Sequence, residues 1–291
     1  MKQLLVLSGK GGTGKTTVSS AIIRLSEAQA FADCDVDAPN LHLLLAGENE
    51  PEREDFEGMP KAVIDPAKCL GCGACQTYCH FDAIKRQEGG YQVEPFACEG
   101  CALCSVMCPA EAITMQAATA GDMMLYRAEN RIFSTAQLRM GSGTSGKLVT
   151  QVKQRMVAHA PEETTLAVID GSPGIGCPVI ASISGASLVL VVTEPSLSGL
   201  SDLRRIVRTA SQFRAKLAVL INKYDTNLPN TERIEAYCQA EGLPCLGRIP
   251  FDPLAGAAIN QGLTVVDLPC AAGEAITAIY EQVLALMGLN A

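Results

Sequence analysis

The sequence lacks a basic surplus, a long apolar run and any cysteine pattern that reads as a disulfide framework. Its 291 residues carry 23 Lys and Arg against 31 Asp and Glu, a net charge of -8. That balance, without a long basic run, argues against a surface built to follow a phosphate backbone and so against nucleic acid as a partner. No stretch approaches the roughly 18 apolar residues of a spanning helix, so no transmembrane segment is expected. Met1 to Leu7 has one Lys and an apolar run that stops at Ser8-Gly9, too short and wrongly flanked for a signal peptide. The expected location is cytoplasmic. Residues 271–291 contain no Lys or Arg, so Ile276, Ile279, Val283 and Leu284 read as a core stripe rather than a membrane-binding helix.

The chain does have 13 cysteines. The cytosol is reducing and the number is odd, which excludes a disulfide framework. Eight fall between Cys69 and Cys108, while Cys34, Cys177, Cys238, Cys245 and Cys270 are scattered. The cluster predicts a local metal site inside a larger fold. For the scattered five, burial among apolar side chains is the expectation, as for most free thiols.

The first residues read as strand, glycine loop, helix and strand. Lys2 to Leu7 is apolar, Thr16 to Ser26 has apolar residues at helical spacing, and Ala30 to Asp35 is a second short strand. Residues 48–60 (ENEPEREDFEGMP) have the composition of a linker. Beyond residue 118 the pattern predicts a hairpin (Met123 to Arg127, Ile132 to Gln137) and a helix from Lys147 to Ala158. Apolar runs follow at Leu166 to Ile169, Leu188 to Thr193, Leu217 to Ile221 and Leu246 to Ile249, and a helix spans Glu274 to Met287. Runs this apolar, alternating with helices, predict an α/β fold with a mostly parallel sheet covered on both faces. Residues 1–55 and 118–291 are thus expected to form a discontinuous α/β domain, with a small module inserted at 61–117.

Gly9, Lys10, Gly11, Gly12, Thr13, Gly14, Lys15 and Thr16 satisfy GxxxxGK(S/T) between a predicted strand and a predicted helix. Glycines let backbone N–H groups wrap phosphates, the helix start adds positive dipole, Lys15 reaches the terminal phosphates and Thr16 offers a hydroxyl to Mg2+. Thr17 follows in the same turn. A second GxxxxGK lies at Gly141 to Lys147, but Leu148 replaces the Mg2+-binding hydroxyl and no clearly apolar strand precedes it. It reads as a flexible loop capping the next helix and as a candidate partner contact.

With Lys10 inside the loop, KGGTGKTT resembles the deviant Walker A ATPases of the MinD/ParA/Mrp superfamily, which includes nitrogenase iron protein and has a P-loop NTPase fold of the SIMIBI type. The resemblance implies a homodimer that sandwiches nucleotide, with Lys10 reaching the phosphates of the partner protomer. It makes Asp35, in Asp33 to Asn40, the water-positioning residue and a contributor to Mg2+ hydration, with Asp37 and Asn40 next in line. Leu166 to Asp170 is an apolar strand ending in an acid, which makes Asp170 a Mg2+ carboxylate, and Gly171 to Gly176 resembles switch II. Asn222, Lys223 and Asp225 match NKxD, which in related GTPases reads guanine. In the resembling ATPases the matching asparagine, here Asn222, contacts adenine. The residues alone leave the base open, and the resemblance favours ATP.

Cys69, Cys72, Cys75 and Cys79 form CxxCxxCxxxC, and Cys98, Cys101, Cys104 and Cys108 repeat it, each run followed by a short apolar patch. This doubled spacing is similar to bacterial two-cluster ferredoxins, where the fourth Cys of a run ligates the other cluster. Carried over, one 4Fe-4S cluster takes Cys69, Cys72, Cys75 and Cys108, and the other takes Cys98, Cys101, Cys104 and Cys79, in an α+β ferredoxin-like module. Structural zinc sites use two separated pairs instead. His80 stands where proline follows the fourth cysteine, a change that removes no ligand. Cys177, seven residues after Asp170, occupies the place where nitrogenase iron protein carries a cluster cysteine.

Together these features predict an ATPase that couples nucleotide-driven dimer switching to electron transfer through two clusters, with an unidentified redox or iron-sulfur acceptor protein as partner. An iron-sulfur carrier of Mrp type is the alternative, although Cys238, Cys245 and Cys270 form no CxxC. A MinD-like positioning ATPase is a third reading.

Overall fold

The computed structural model describes residues 1–45 and 50–289. The first two residues of the predicted linker, 48 and 49, lie outside the described residues. Along the chain, β1 (Lys2–Ser8), α1 (Lys15–Leu25), β2 (Ala30–Asp33), α2 (His42–Leu45) and β3 (Glu52–Glu57) come first. Next are β4 (Lys61–Ile64), α3 (Ala74–Thr77), β5 (Ile84–Gln87), β6 (Gly90–Val93), α4 (Leu103–Val106) and β7 (Ile113–Gln116). Then come β8 (Thr119–Ala128), β9 (Arg131–Leu138), α5 (Ser145–His159), β10 (Leu166–Pro173), α6 (Cys177–Ile183) and β11 (Leu188–Thr193). The last are α7 (Leu197–Ala210), β12 (Lys216–Asn222), α8 (Leu228–Ala240), β13 (Cys245–Ile249), α9 (Pro253–Asn260) and α10 (Ala271–Met287). Among the described residues no helix is long and apolar enough to cross a membrane.

Nine strands form one sheet in the order β13-β12-β11-β1-β10-β2-β9-β8-β3. The neighbours from β13 to β9 pair in parallel. In β1, Leu4, Leu5, Val6 and Leu7 are all fully buried, as a parallel strand covered on both faces requires. Leu4 and Val6 join Ile22 and Ile23 of α1 and Ile276, Ile279 and Val283 of α10 in one apolar cluster. Successive side chains point to opposite faces, so Leu5 and Leu7 serve the other side, where the backbone of Gly171 comes so close that a Cβ there would meet Leu7 at 2.4 Å. Truncating Leu4 or Leu5 to Ala leaves a cavity costing about 3 kcal/mol.

The connection from α1 to β2 is short because α1 ends in a tight hydrogen-bonded turn. Glu27 takes φ +45, Ala28 N–H donates to Ile23 O and Glu27 N–H to Arg24 O, the double bond of a Schellman close. The second strand stops at Asp33 rather than Asp35, since the Asp33 carboxylate captures the next backbone N–H groups and turns the chain. The charged segment expected as a linker contains a strand, β3, at the sheet edge. Only Phe56 of it is buried, and charged exposed side chains are what an edge strand tolerates, so its composition mimics a linker.

Two compact units divide the chain: Met1–Arg53 with Met124–Ala136 and Gly146–Ala291, and Glu54–Met123 with Gln137–Ser145. The second unit extends beyond 61–117 and takes in the segment after β9. Within it, every marked position recurs 29 residues later: Cys69 with Cys98, Cys79 with Cys108, Ile84 with Ile113. The backbone repeats too. Gly73 (φ +78) and Ala102 (φ +64) open α3 and α4, and Asp82 (φ +50) and Glu111 (φ +49) share a left-handed turn. Strand pairing crosses between the repeats, with β4 of the first antiparallel to β7 of the second, and β5 of the first antiparallel to β6 of the second.

Candidate functional site

β1 delivers Ser8 to Gly14 to the C-terminal edge of the sheet beside the point where strand order reverses, the usual ligand crevice of such folds. Gly14 takes φ +92 at the start of α1. A Cβ there would lie 2.1 Å from Asn222 Nδ2, so the position needs glycine for both conformation and space. Asn222 Nδ2 donates to Thr13 O at 2.7 Å, and Lys223 Nζ donates to Gly12 O at 3.0 Å. The end of β12 thus clamps the loop.

Lys15 is buried, with Nζ 2.9 Å from Asp170 Oδ1 and 3.9 Å from Asp35 Oδ2. Thr16 Oγ1 donates to the other oxygen, Asp170 Oδ2, at 2.7 Å. Burial works against the Lys15 charge, but Asp170, Asp33 and Asp35 outweigh it and hold the amine above its ordinary value. Thr13 Oγ1 is buried without a hydrogen-bond partner. Buried polar atoms are rarely left this way. Lys15, Thr16 and Asp170 bring an ammonium, a hydroxyl and a carboxylate into mutual contact, a set that suits a phosphate and its Mg2+.

Asp33, fully buried, accepts from Asp35 N–H at 2.9 Å and from Asn40 and Leu41 N–H at 3.0 Å each. Burial first, then repulsion from Asp170, pushes its carboxyl up to about 7 despite Lys15 and these N–H groups. It is therefore the pin of the Asp35 to Leu41 segment, a role hidden in the sequence by its neighbour Asp35. Asp35 is also raised, chiefly by burial.

A cavity of about 450 Å³ joins the loop to Asp35, Asn40 and Asn222 and ends on Ile249, Phe251 and Ile276. Its lining combines phosphate-loop groups with Ile249, Phe251 and Ile276, a mixture suited to a nucleotide. Of the residues expected to bind nucleotide, Lys10, Gly11, Gly12, Gly14, Lys15, Thr16, Thr17 and Asn222 line it. Gly9 faces α7 instead, where a Cβ would meet Asp202 Cβ at 2.1 Å. The apolar end comes from residues more than 200 positions beyond the loop, and no local motif marks them. Asp225 turns away from a base-reading role: its Oδ1 accepts from Phe251 N–H at 2.8 Å, fixing that wall. An open groove of about 1000 Å³ between α7 and α8 is larger, but it contains no residue of the phosphate loop and is not assigned to nucleotide.

Lys10 is held within its own chain. Its Nζ lies 2.6 Å from Glu194 Oε1 and donates to Ser198 Oγ at 3.1 Å.

The eight clustered cysteines separate into two groups. Cys69, Cys72, Cys75 and Cys108 line one cavity with Ile64, Leu70 and Ile113. Cys79, Cys98, Cys101 and Cys104 line another with Tyr78 and Phe81. Crossed strand pairing brings the fourth thiol of each run to the other group. Among the described residues no three Cys, His, Asp or Glu converge as a single ion requires. Four thiols in each group are the donor number that a 4Fe-4S cluster takes. Cys72 and Cys101 are exposed. Cys108 Sγ accepts from Ala112 N–H at 3.3 Å, the kind of contact that tunes a cluster potential. Burial raises the Cys75 and Cys104 thiols.

Cys34, Cys238 and Cys270 are buried, as expected of free thiols, but Cys177 is exposed. It begins α6, where Gly176 and Pro178 turn the chain outward after β10. Cys238 and Cys245 are hydrogen-bonded to each other, which raises the first thiol and lowers the second. The second glycine loop does follow a strand, β9, whose Ile132 to Ala136 are buried. Polar Ser134 and Thr135 disguise it. The following helix already starts at Ser145, two residues before Lys147, and Leu148 is fully buried, so no phosphate cradle forms.

A family model described as the CobQ/CobB/MinD/ParA nucleotide binding domain matches residues 4–265. An uncharacterized protein of Methanocaldococcus jannaschii is 30% identical over 286 residues, covering 96% of this chain and 95% of that protein. The iron-sulfur cluster carrier protein of the same organism is 21% identical over 299 residues, covering 97% and 83%. The septum site-determining protein MinD complexed with Mg-ADP from Pyrococcus horikoshii has a TM-score of 0.59 at 18% identity, covering 99% of this chain and 97% of that one. A McdA–ATP complex from Cyanothece has a TM-score of 0.56 at 18% identity, covering 100% and 98%. These two solved structures share the fold.

Proposed function

The chain belongs to the CobQ/CobB/MinD/ParA nucleotide-binding domain family, and on that premise we propose that it is an ATP-hydrolysing iron-sulfur protein in which switching of a homodimer governs electron transfer through two 4Fe-4S clusters to a partner protein. The observation that carries the nucleotide half is the buried Lys15 at the end of the glycine loop, its Nζ against Asp170 Oδ1 while Thr16 Oγ1 takes the other Asp170 oxygen. The redox half is supported by the segregation of eight thiols into two groups of four, each borrowing one from the other run.

Each residue then has a task. Lys15 and Thr16, both on Asp170 in this structure, would hold phosphate and Mg2+, and Asp170 would supply a carboxylate to that ion. Asp35, held by the Asp33 pin, orients the attacking water. Lys10 leaves Glu194 and reaches the phosphates across the dimer. Bound clusters supply one-electron chemistry whose potential follows solvent exposure and hydrogen bonds to sulfur. The inserted module at 61–117 houses them.

The test is EPR and redox titration with and without MgATP. Altered spectra or midpoint potentials, with nucleotide-dependent reduction of an acceptor, support the reading. Identical spectra and potentials, with nucleotide-independent reduction, overturn it.

A second reading, cluster delivery, is favoured by the likeness to an iron-sulfur cluster carrier protein. Release of iron and sulfide to an apo-acceptor supports it, and retention of both clusters excludes it.

A further inference from the structure

The two cysteine groups come from a repeat, so each position around one has a counterpart around the other, and only differences between counterparts can make the groups unequal. Exposure does not distinguish them. Each has one buried thiol (Cys75, Cys98), one exposed (Cys72, Cys101) and two half-buried (Cys69 and Cys108, Cys79 and Cys104). Each cavity holds about 20 Å³. The acids nearest in sequence repeat as well, Asp65 with Glu94 and Asp82 with Glu111.

Two differences stand out. The residue after the leading cysteine is Leu70 in the first run and Glu99 in the second, and each lines the cavity of its own group. Equivalent positions therefore give one group a neutral alkyl chain and the other a carboxylate. The second difference is a hydrogen bond. Ala112 N–H donates at 3.3 Å to Cys108 Sγ, a member of the Cys69 group. Among the described residues, the counterparts Ala83 N–H and Cys79 Sγ are not joined. One lysine lies outside each lining, Lys68 beside Cys69 and Lys61 with its Nζ donating to Cys98 O, so these two cations offset one another between the groups.

Both differences act in one direction. An added electron is an added negative charge, which a neighbouring carboxylate repels and an N–H donor to sulfur welcomes. We propose that Glu99 and the Ala112–Cys108 hydrogen bond make the two groups unequal: Glu99 holds the potential at the Cys98 group below that at the Cys69 group, so a single electron delivered to the module rests at the Cys69 group. This inference rests on the two-cluster reading above and adds which group keeps the electron. For one electron, every 59 mV of separation is a factor of about ten in occupancy. The favoured group is also the one where exposed Leu70 and Cys72 meet solvent.

Three forms of the full chain, purified anaerobically, test it: wild type, Glu99→Gln and Leu70→Glu. Glu99 is exposed and Leu70 is 73% exposed, so neither change disturbs a core. Iron and sulfide are counted, and each form is titrated without nucleotide using dithionite, which delivers electrons one at a time, while EPR follows the reduced signals. Wild type is expected to show two midpoints at least about 59 mV apart, a tenfold preference. Glu99→Gln is expected to raise the lower midpoint alone, and Leu70→Glu to lower the upper midpoint alone. Coincident midpoints in wild type, a lower midpoint that Glu99→Gln leaves in place, or a Glu99→Gln shift confined to the upper midpoint overturns the inequality and leaves the two-cluster reading standing. Wild type without iron, sulfide and an EPR signal overturns both.

Discussion

Lys15 Nζ and Asp170 Oδ1 stand 2.9 Å apart at the centre of the site, one from the start of α1 and the other from within β10. The pair holds two charges in place where phosphate and Mg2+ are to sit. Removing one partner strands the other, and a buried unpaired charge is costly. Asp170→Asn is expected to lower ATP hydrolysis about 100-fold and to abolish the Mg2+ dependence of nucleotide affinity. Steady-state turnover and titration calorimetry with and without Mg2+ check both.

The Lys10–Glu194 pair is partly exposed, so it is weak, worth about 0.2 to 1 kcal/mol. Glu194→Gln is expected to free Lys10 and lower the ATP concentration for dimerisation by up to about fivefold. Lys10→Ala is expected to keep nucleotide binding and lose ATP-induced dimers. Analytical ultracentrifugation across an ATP series distinguishes them.

Because Asp225 holds the Phe251 backbone rather than facing a base, Asp225→Ala is expected to weaken ATP and GTP binding in equal proportion. A loss confined to GTP, measured by calorimetry, would return Asp225 to base reading.

The crossed thiol groups pair the cysteines across the runs. Cys79→Ser is expected to perturb the same EPR signal as Cys98→Ser, while Cys108→Ser perturbs the signal affected by Cys69→Ser. Iron content is expected to fall from about eight per chain toward about four when one cluster is lost. Pairing within each run instead would refute the crossed assignment.

Asp252 accepts from Leu254 N–H at 3.0 Å at the start of α9 and from Ala272 N–H at 3.3 Å at the start of α10. The Leu254 N–H first, then that of Ala272, holds its carboxyl below 3.8. Its stabilisation is therefore present above pH 3.8 and lost as pH falls through the lower folded value. Asp252→Ala is expected to cost about 1 kcal/mol at neutral pH, with the wild-type advantage shrinking in strong acid. Thermal melts from neutral pH into strong acid follow it.

Much of the fold was legible in the chain. Leu4 to Leu7, Leu166 to Ile169 and Leu188 to Thr193 announce buried parallel strands because both faces must be apolar. The strand β3 was not legible, since its edge position leaves Glu52 to Asp55 in solvent and a charged edge reads as a linker. β9 was legible as the Ile132 to Gln137 strand of the hairpin, but Ser134 and Thr135, polar yet buried, kept it from reading as an apolar strand before the second glycine loop. In the site, Lys15, Thr16 and Asp170 were legible from spacing. Asp33 as a backbone pin was not, nor was the exposure of Cys177, which contradicts the general preference of free thiols for burial.

By itself the sequence determined the chemistry available: a loop of small residues with two lysines, acids at strand ends, and eight thiols at a fixed repeat. Local spacing controls these because a turn or a helix start depends on a few consecutive residues. Only the tertiary structure decided which groups meet. Glu194 reaches Lys10, Phe251 lines the cavity beyond the loop, Asn222 clamps Thr13, and Asp225 holds the Phe251 backbone. Such pairings depend on strand order and crossed β-pairing, which bring together residues far apart along the chain and leave no periodic trace within it.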